Sequence, residues 1–418
     1  TVTGESAHGV FAQSASGQGK DDASGDVTIA VNASISATGS QGRAILAQSQ
    51  GYAQSGSVTI NVAKGVTVST GAGGAETIGI KDGHANAVTN YGTLASGNAA
   101  SPVIRATGGA IVTDIFNHGI ITGSIVGATT EPALGAASTS RIALANFAGA
   151  TVNSGAILDV TTLRNDGTLA IGGAGAAAAT RVTGHLTQGA GGVLAIDLDP
   201  RAAGGAGAAD RLIVDGSAAL GGRVAVNLLD TWQPAEGARS LQIVTAGAGL
   251  TSADLDVSRS AVAQFRVQQD APGALALGYD IDFANTGILA ATNDNQDAVA
   301  RHLHALYRRQ ALDPALARSL IAIEDGATYA GAMNTMGIEL AVDNQIVSLL
   351  SAIEFSDALV NCDQRAGEGR GITLPDVVGK TQPRGGGIDL GEHAGLEVGD
   401  LLELVGALLL GVAGADGV

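Results

Sequence analysis

The chain has 418 residues, with 22 Lys and Arg against 39 Asp and Glu, for a formal net charge of −17. That balance excludes nucleic acid as a partner, because phosphate backbones demand clustered Lys and Arg. A hydrophobic share of 45% excludes a disordered polar polymer, and 62 glycines with only 8 prolines and no period of three exclude a collagen-like chain.

The apolar content is mostly Ala, Val, Ile and Leu, and aromatic residues make up only 3%. Small and β-branched residues with frequent Gly suit many short strands joined by tight turns. The single cysteine, Cys362, rules out an internal disulfide and a Cys-based zinc site. The first residues, TVTGESAHGV, have neither the charged nor the apolar region of a signal peptide. No run reaches the roughly 18 apolar residues of a transmembrane helix, and the longest, LVGALLLGVAGA at 404–415, is too short.

Taken in chain order, the first elements repeat. AHGVFAQS at 7–14 and GRAILAQS at 42–49 share the ending AQS. Each leads through a polar loop into a strand-like segment, DVTIAVNASISATG at 26–39 and SVTINVAKGVTVSTG at 57–71. A decayed third copy starts at TIGIKDG, 77–83. Then a phrase of Asn, any residue and Gly takes over: NYGTLASG at 90–97, IFNHGIITG at 115–123 and NDGTLAIGG at 165–173, with looser relatives at 146–152 and 153–158. Alternation in VTIAV and VTINV has period two, the strand period. Repeats of thirty-odd residues signify stacked supersecondary units. The fold class that follows is all-β, a right-handed parallel β-helix of roughly ten coils with one continuous apolar interior. In this reading the Asn-x-Gly phrase marks a corner, where Asn tolerates left-handed backbone, Gly accepts positive φ, and successive Asn side chains can stack into a ladder.

Residues 184–284 keep the strand pattern with different residues and carry Trp232, the only tryptophan, in the loop LDTWQPAEG. A terminal unit of this kind seals an open sheet edge. From about 288 the period becomes helical: Val299, Leu303 and Leu306 share a face, Asp313–Pro314 caps a helix containing Leu316 and Leu320, and Tyr329, Met333, Met336 and Leu340 recur at helical steps, as do Ile346, Leu349, Leu350 and Ile353.

The order of these pieces, with Asp210-Arg211-Leu212, Gly216 and Gly221-Gly222 followed by Trp232, Pro234 and Gly237, and then FSDALVNC at 355–362, resembles the passenger region of autotransporters, bacterial surface proteins secreted through their own outer-membrane barrel. The resemblance spans about 360 residues. It implies a passenger β-helix over 1–183, an autochaperone-like cap over 184–284 and a helical connector over 285–366. It also implies export through the periplasm to the cell surface or medium, attachment to the outer membrane through a C-terminal barrel, and a ligand on a host, a neighbouring cell or an abiotic surface. The barrel is absent or truncated: residues 367–418 contain no Phe, Tyr or Trp and are far fewer than a barrel of about 12 strands requires, so they read as an atypical, disordered tail and the chain as a fragment or a disrupted reading frame.

No catalytic, cofactor-binding or metal-binding residue emerges from the motifs. GGAGAADRL at 204–212 is a single, overlong match to a calcium repeat, and GGAGAAA at 172–178 lacks the following helix of a dinucleotide site. His302 and His304 stand two apart on a helix and point away from each other, so both read as solvent-facing; His8, His84, His118, His185 and His393 are scattered. Asp21–Asp22 and Asp294/Asp297 read as loop and helix-start charges. GESAH at 4–8 lacks the second Gly of a serine nucleophile motif, Cys362 reads as a packing residue, and the basic residues before 184, among them Arg43, Arg105 and Arg164, are isolated in sequence. The alternatives are a carbohydrate-active β-helix enzyme and an outer-membrane translocator whose barrel is missing from this chain. If 184–284 templates the stalk, its deletion leaves 1–183 without a cooperative unfolding transition in calorimetry; a sharp, unchanged melt contradicts that role.

Overall fold

The computed structural model describes residues 1–108, 112–127, 141–199, 208–229, 239–290 and 292–336. All of them lie in the first of two compact units, Thr1–Asn344; the second, Gln345–Val418, lies outside the described residues, and with it Cys362, the helical pattern at 346–353 and the segment 367–418. Trp232, Pro234 and Gly237 also lie outside them.

The fold is a parallel β-helix. One of its faces is a sheet of nine strands, one from each coil: Val27–Val31, Val58–Val62, Ala85–Asn90, Val112–Asn117, Arg141–Asn146, Thr162–Asn165, His185–Gln188, Ala218–Leu220 and Leu250–Ser252. The other two faces form a single sheet of eighteen strands, because Ile120–Val126 and Thr151–Leu158 each turn a corner without interruption. The turn in the first is made at Gly123, whose φ of 130° lies outside the range of other residues and where the pairing register shifts.

The sequence repeats are direct neighbours in space. The two AQS endings pair as Ala12↔Ala47, Gln13↔Gln48 and Ser14↔Ser49, and VTIAV lies on VTINV residue by residue. Period-two alternation sends every second side chain inward, so Val27–Val31 alternates buried and exposed along its length. Stacking in register then turns each inward position into a column. One runs Ile29, Ile60, Val88, Ile115, Leu144, Leu163, Leu186, Ala218, Leu250. Another runs Ile35, Val68, Leu94, Ile121, Val152, Leu169, Leu194, Val224, Val257. These columns belong to one apolar cluster that continues from Val27 to Met333.

Beside the first column runs a polar one. Val31 and Val62 begin it, then Asn90, Asn117, Asn146, Asn165 and Gln188 follow in register, and Leu220 succeeds them. Each amide nitrogen donates to the oxygen of the next: Asn90 to Asn117 at 2.9 Å, Asn117 to Asn146 at 2.8 Å, Asn146 to Asn165 at 2.7 Å and Asn165 to Gln188 at 3.1 Å. The second N–H of each Asn reaches a main-chain carbonyl of the following coil, at Ile120, Thr151, Thr168 and Val193. Gln188 ends the row on the Gly221 carbonyl at 2.6 Å. All five side chains are buried.

The phrase marks a corner, as expected, with one strand ending at Asn90, Asn117 and Asn165 and the next beginning at Thr93, Ile120 and Thr168, but the expected left-handed backbone is not what makes it. None of these Asn residues has positive φ, and neither do Gly92, Gly119 and Gly167 that follow them. The asparagines close their strands with the side chain inward, and the glycines are required by close approach: a Cβ on Gly119 would stand 2.1 Å from the Gly92 carbonyl oxygen, and one on Gly167 2.4 Å from that of Ala150. The ladder itself is as expected. Spacing along the chain varies from 19 to 29 residues between rungs because solvent-facing corners absorb the difference while the rungs stay paired.

The solenoid runs without a break through residue 184, which falls between Ala179–Val182 and His185–Gln188 within the seventh coil. It ends where Arg239–Ala246 takes an antiparallel partner, Ala274–Ile281, itself hairpinned to Ala263–Ala271. Against this end pack α1 (Thr286–Leu289), α2 (Asp294–Arg308), α3 (Pro314–Ile321) and a helical stretch at 326–336. Asn293 and Gln296 form a capping box on α2, and Asp313 accepts from the Ala315 and Leu316 amides with Pro314 in the first turn, as the sequence suggests. Val299, Leu303, Leu320, Tyr329 and Met333 are buried; Leu340 lies outside the described residues. The Tyr329 hydroxyl donates to the Phe283 carbonyl at 3.0 Å, and Phe283 and Tyr307 rings meet at 5.1 Å.

The Asn row makes a quantitative prediction. Asn117→Val strands the Asn90 nitrogen and the Asn146 oxygen and costs roughly 3 kcal/mol, since each buried polar group left unpaired costs about 1–3 kcal/mol. Asn90→Val, with Val62 already on its other side, costs less. Urea midpoints of the two variants give the comparison; equal, small effects would show that the ladder contributes little.

Candidate functional site

Two features of the exterior bring together side chains that are distant in sequence. The first is a cleft of about 370 Å³ at the corner where coils two, three and four turn, lined by Gln41, Arg43, Glu76, Ser101, Pro102 and Arg105, with Gly74, Ala75 and Ala100. Strand register places its charges. Ile45 pairs with Ile78, so Arg43 and Glu76, each two residues earlier, stand side by side; Arg105 pairs with Gly79 on the next coil. Arg43 Nε donates to Glu76 Oε1 at 2.5 Å, and Arg105 Nε lies 3.8 Å from Glu76 Oε2. Glu76 is 6% exposed and forms the floor. Gly79 leaves room for it, since a Cβ there would meet Glu76 Oε1 at 2.8 Å.

The rim is held by its own hydrogen bonds. Asn98 Oδ1 accepts from the Ala100 and Ser101 amides at 2.8 and 2.7 Å, and its Nδ2 donates to the Ala72 carbonyl at 2.6 Å. Ser101 Oγ donates to the Gly74 carbonyl at 2.7 Å. These bonds tie the 96–101 corner to the 71–74 corner beneath it. The arginines isolated in sequence are thus not isolated in the fold. Further exterior pairs among the described residues are Arg141 with Asp114, Arg164 with Asp166, Arg181 with Asp215 and Arg259 with Asp256.

The second feature is the middle residue of the Asn-x-Gly phrase. With Asn inward, this residue points out, and Tyr91, His118 and Phe147 stack at 4.7 and 4.1 Å with ring planes within 10° of parallel. Exposed Phe116 and Ile120 flank them. The phrase itself carried the signal, in NYG, NHG and NFAG, one rung apart.

The remaining candidates resolve into structure. In the 172–178 turn, Gly172, Gly173 and Gly175 have positive φ, and two of the turn's amides bind the chain's own carboxylates: Gly175 donates to Asp197 at 2.6 Å and Ala178 to Asp210 at 2.6 Å. Asp210 also accepts from the Asp197 amide at 2.7 Å, so the Asp-Arg-Leu motif works as a clamp between coils seven and eight. Residues 204–207 lie outside the described residues. His302 is exposed as expected, but His304 turns toward Asp282, 3.0 Å from its carboxylate. His185 bonds Ser217, and His118 sits in the aromatic stack. Asp22 accepts from the Gly19 amide, and Asp294 and Asp297 occupy the first turn of α2. Among the described residues no group of three or more His, Cys, Asp or Glu is placed to hold a metal ion, and no helix is long and apolar enough to cross a membrane.

No protein-family model matches the chain, and no curated protein matches it in sequence.

Burial holds a proton on Asp210, raising its carboxyl from 3.8 to about 7; the two amide donors oppose this and the charge of Asp197 adds to it. Between those values the folded chain keeps a proton that the unfolded chain releases. Stability therefore falls as pH rises across the window, by roughly 4 kcal/mol at most at about 1.4 per pH unit. Thermal midpoints of the protein from pH 4 to pH 8 should show this decline, and Asp210→Asn should flatten it whatever its absolute stability. Parallel profiles would exclude Asp210 as the titrating group.

Proposed function

We propose that this chain is the passenger part of a bacterial surface protein, a non-catalytic β-helix that contacts a host, a neighbouring cell or an abiotic surface and reaches the exterior through an outer-membrane barrel. The single observation that supports it most is the solvent-facing row of Tyr91, His118 and Phe147 with Phe116 and Ile120 beside it. In a chain with so few aromatics, residues of this kind do not serve the solenoid's core, which is filled by Ile, Val and Leu. Exposed contiguous aromatic and aliphatic side chains are the usual substance of an adhesive surface. A β-helix carrying rows of like residues also offers the same contact several times along its length, so weak contacts add by avidity.

The second reading, a carbohydrate-active enzyme, is favoured by the cleft, where a buried carboxylate and two guanidiniums converge. Incubating the whole chain with plant and bacterial polysaccharides separates the two readings, since released reducing ends support the enzyme. On the adhesive reading, Tyr91→Ser with Phe116→Ser weakens binding to the adherent surface about tenfold, a loss of about 1.4 kcal/mol. Circular dichroism melts of the variant should match the parent, because both side chains are exposed. Unchanged adhesion in a folded double variant would remove the row from the proposed contact.

A further inference from the structure

We infer that the cleft between coils two, three and four binds a carboxylated saccharide unit, a uronate or a sugar acid of similar form, with Arg43 taking its carboxylate. The site stands on residues apart from the aromatic row and holds whether the chain is adhesive or catalytic.

The first ground is the state of Arg43. Its guanidinium has five N–H donors in one plane. Among the described residues its one acceptor is Glu76, which engages Nε. The terminal edge of the guanidinium, one of its two edges that can match a carboxylate with two parallel hydrogen bonds, has no protein acceptor among those residues. The Arg43 side chain is 30% exposed while the Glu76 side chain is nearly buried, so the carboxylate holds the arginine from below and leaves it accessible from the cleft. A fixed guanidinium loses little conformational entropy when it takes a ligand.

The second ground is a preformed, open cleft. The rim bonds of Asn98 and Ser101 fix both walls before any ligand arrives. The volume of about 370 Å³ lies at the small end of ligand clefts, which span about 300–1,000 Å³. The third ground is composition. Apart from Gly74, Pro102 and two alanines the lining residues are polar, with Gln41 and Ser101 suited to hydroxyls rather than to an apolar ligand. Glu76 also selects among anions: its own negative charge on the floor opposes a dianion such as a phosphate ester more than a monoanionic carboxylate.

The test is titration calorimetry of the full chain with a galacturonate trisaccharide, a glucuronate disaccharide, the corresponding neutral oligosaccharides, inorganic sulfate and sodium acetate. The proposal expects saturable binding of the uronates, weakened by salt, with neutral sugars at least tenfold weaker. Arg43→Gln reduces uronate affinity at least tenfold, and Arg164→Gln, on a separate exposed pair, leaves it unchanged. Because Arg43→Gln also removes the partner of a buried carboxylate, Ala100→Trp serves as a second variant: it fills the cleft from its exposed rim, spares the ion pair and abolishes binding. A folded chain that binds no uronate overturns the proposal, as does uronate binding indifferent to both variants. Equal affinity for acetate or sulfate means an adventitious ion only and overturns the saccharide assignment. Release of reducing ends from the uronates leaves the site standing and overturns the non-catalytic reading, so the two failures are distinguishable.

Discussion

The constraint on which everything else rests is that each coil must hydrogen-bond to the one below it in unshifted register. A parallel strand has side chains on both faces, and moving it by one residue exchanges the two faces. In this chain that exchange would expel a column such as Ile60, Val88, Ile115 and Leu144 into water and draw Thr89 and Phe116 inside. Burial of branched aliphatic side chains is non-directional, so it rewards any inward apolar residue almost equally. Something directional must pin the register.

The buried amide row supplies that direction. Asn90, Asn117, Asn146, Asn165 and Gln188 can satisfy one another only when all of them lie at the same level of their strands. A slip by one residue would leave several buried donors and acceptors unpaired at once. The row also explains why the flanking coils use Val31, Val62 and Leu220 at the same place: an apolar column is compatible with the fold, and it is the continuity of the amides that makes each one indispensable to its neighbours. Turning Asn inward has an external result. The next residue then points out, and at Gly92, Gly119 and Gly167 the one after passes too close to a carbonyl below to carry a Cβ, while Ala148 takes that place after Phe147; the inward Asn thus sets the outward row of Tyr91, His118 and Phe147.

The ends and the cleft follow a different logic from the middle. Where stacking stops, the final parallel strand is covered by an antiparallel hairpin and by helices, and here the core changes character to Tyr279, Phe283, Tyr307 and Tyr329, all fully buried. Large rings fill the irregular space between a sheet and helices, whereas the regular interior between sheets takes Val, Ile and Leu. The cleft arises at a corner, where chain length is free to vary and the backbone satisfies itself through Asn98 and Ser101 instead of through a ladder. Function placed at such corners leaves the stacked strands undisturbed.

Much of the fold was legible in residue order alone, because a solenoid writes its stacking as repetition: two AQS endings, two VTI strands and the recurring Asn-x-Gly are local patterns with fixed period, and Asp313–Pro314 announces its helix by local chemistry. The Asn ladder was legible in the phrase, but not the backbone beneath it, since an inward strand residue and a left-handed turn residue have the same letter, and only the neighbouring coil decides between them. The candidate site was hidden for the same reason. Arg43, Glu76 and Arg105 belong to three coils, their spacing along the chain depends on corner loops of unequal length, and isolated letters carry no sign of convergence. The sequence by itself determined that strands would stack and which faces would be dry, because burial and period are properties of each strand; tertiary structure alone decided which exterior groups meet, because register across loops of variable length is a property of the stack.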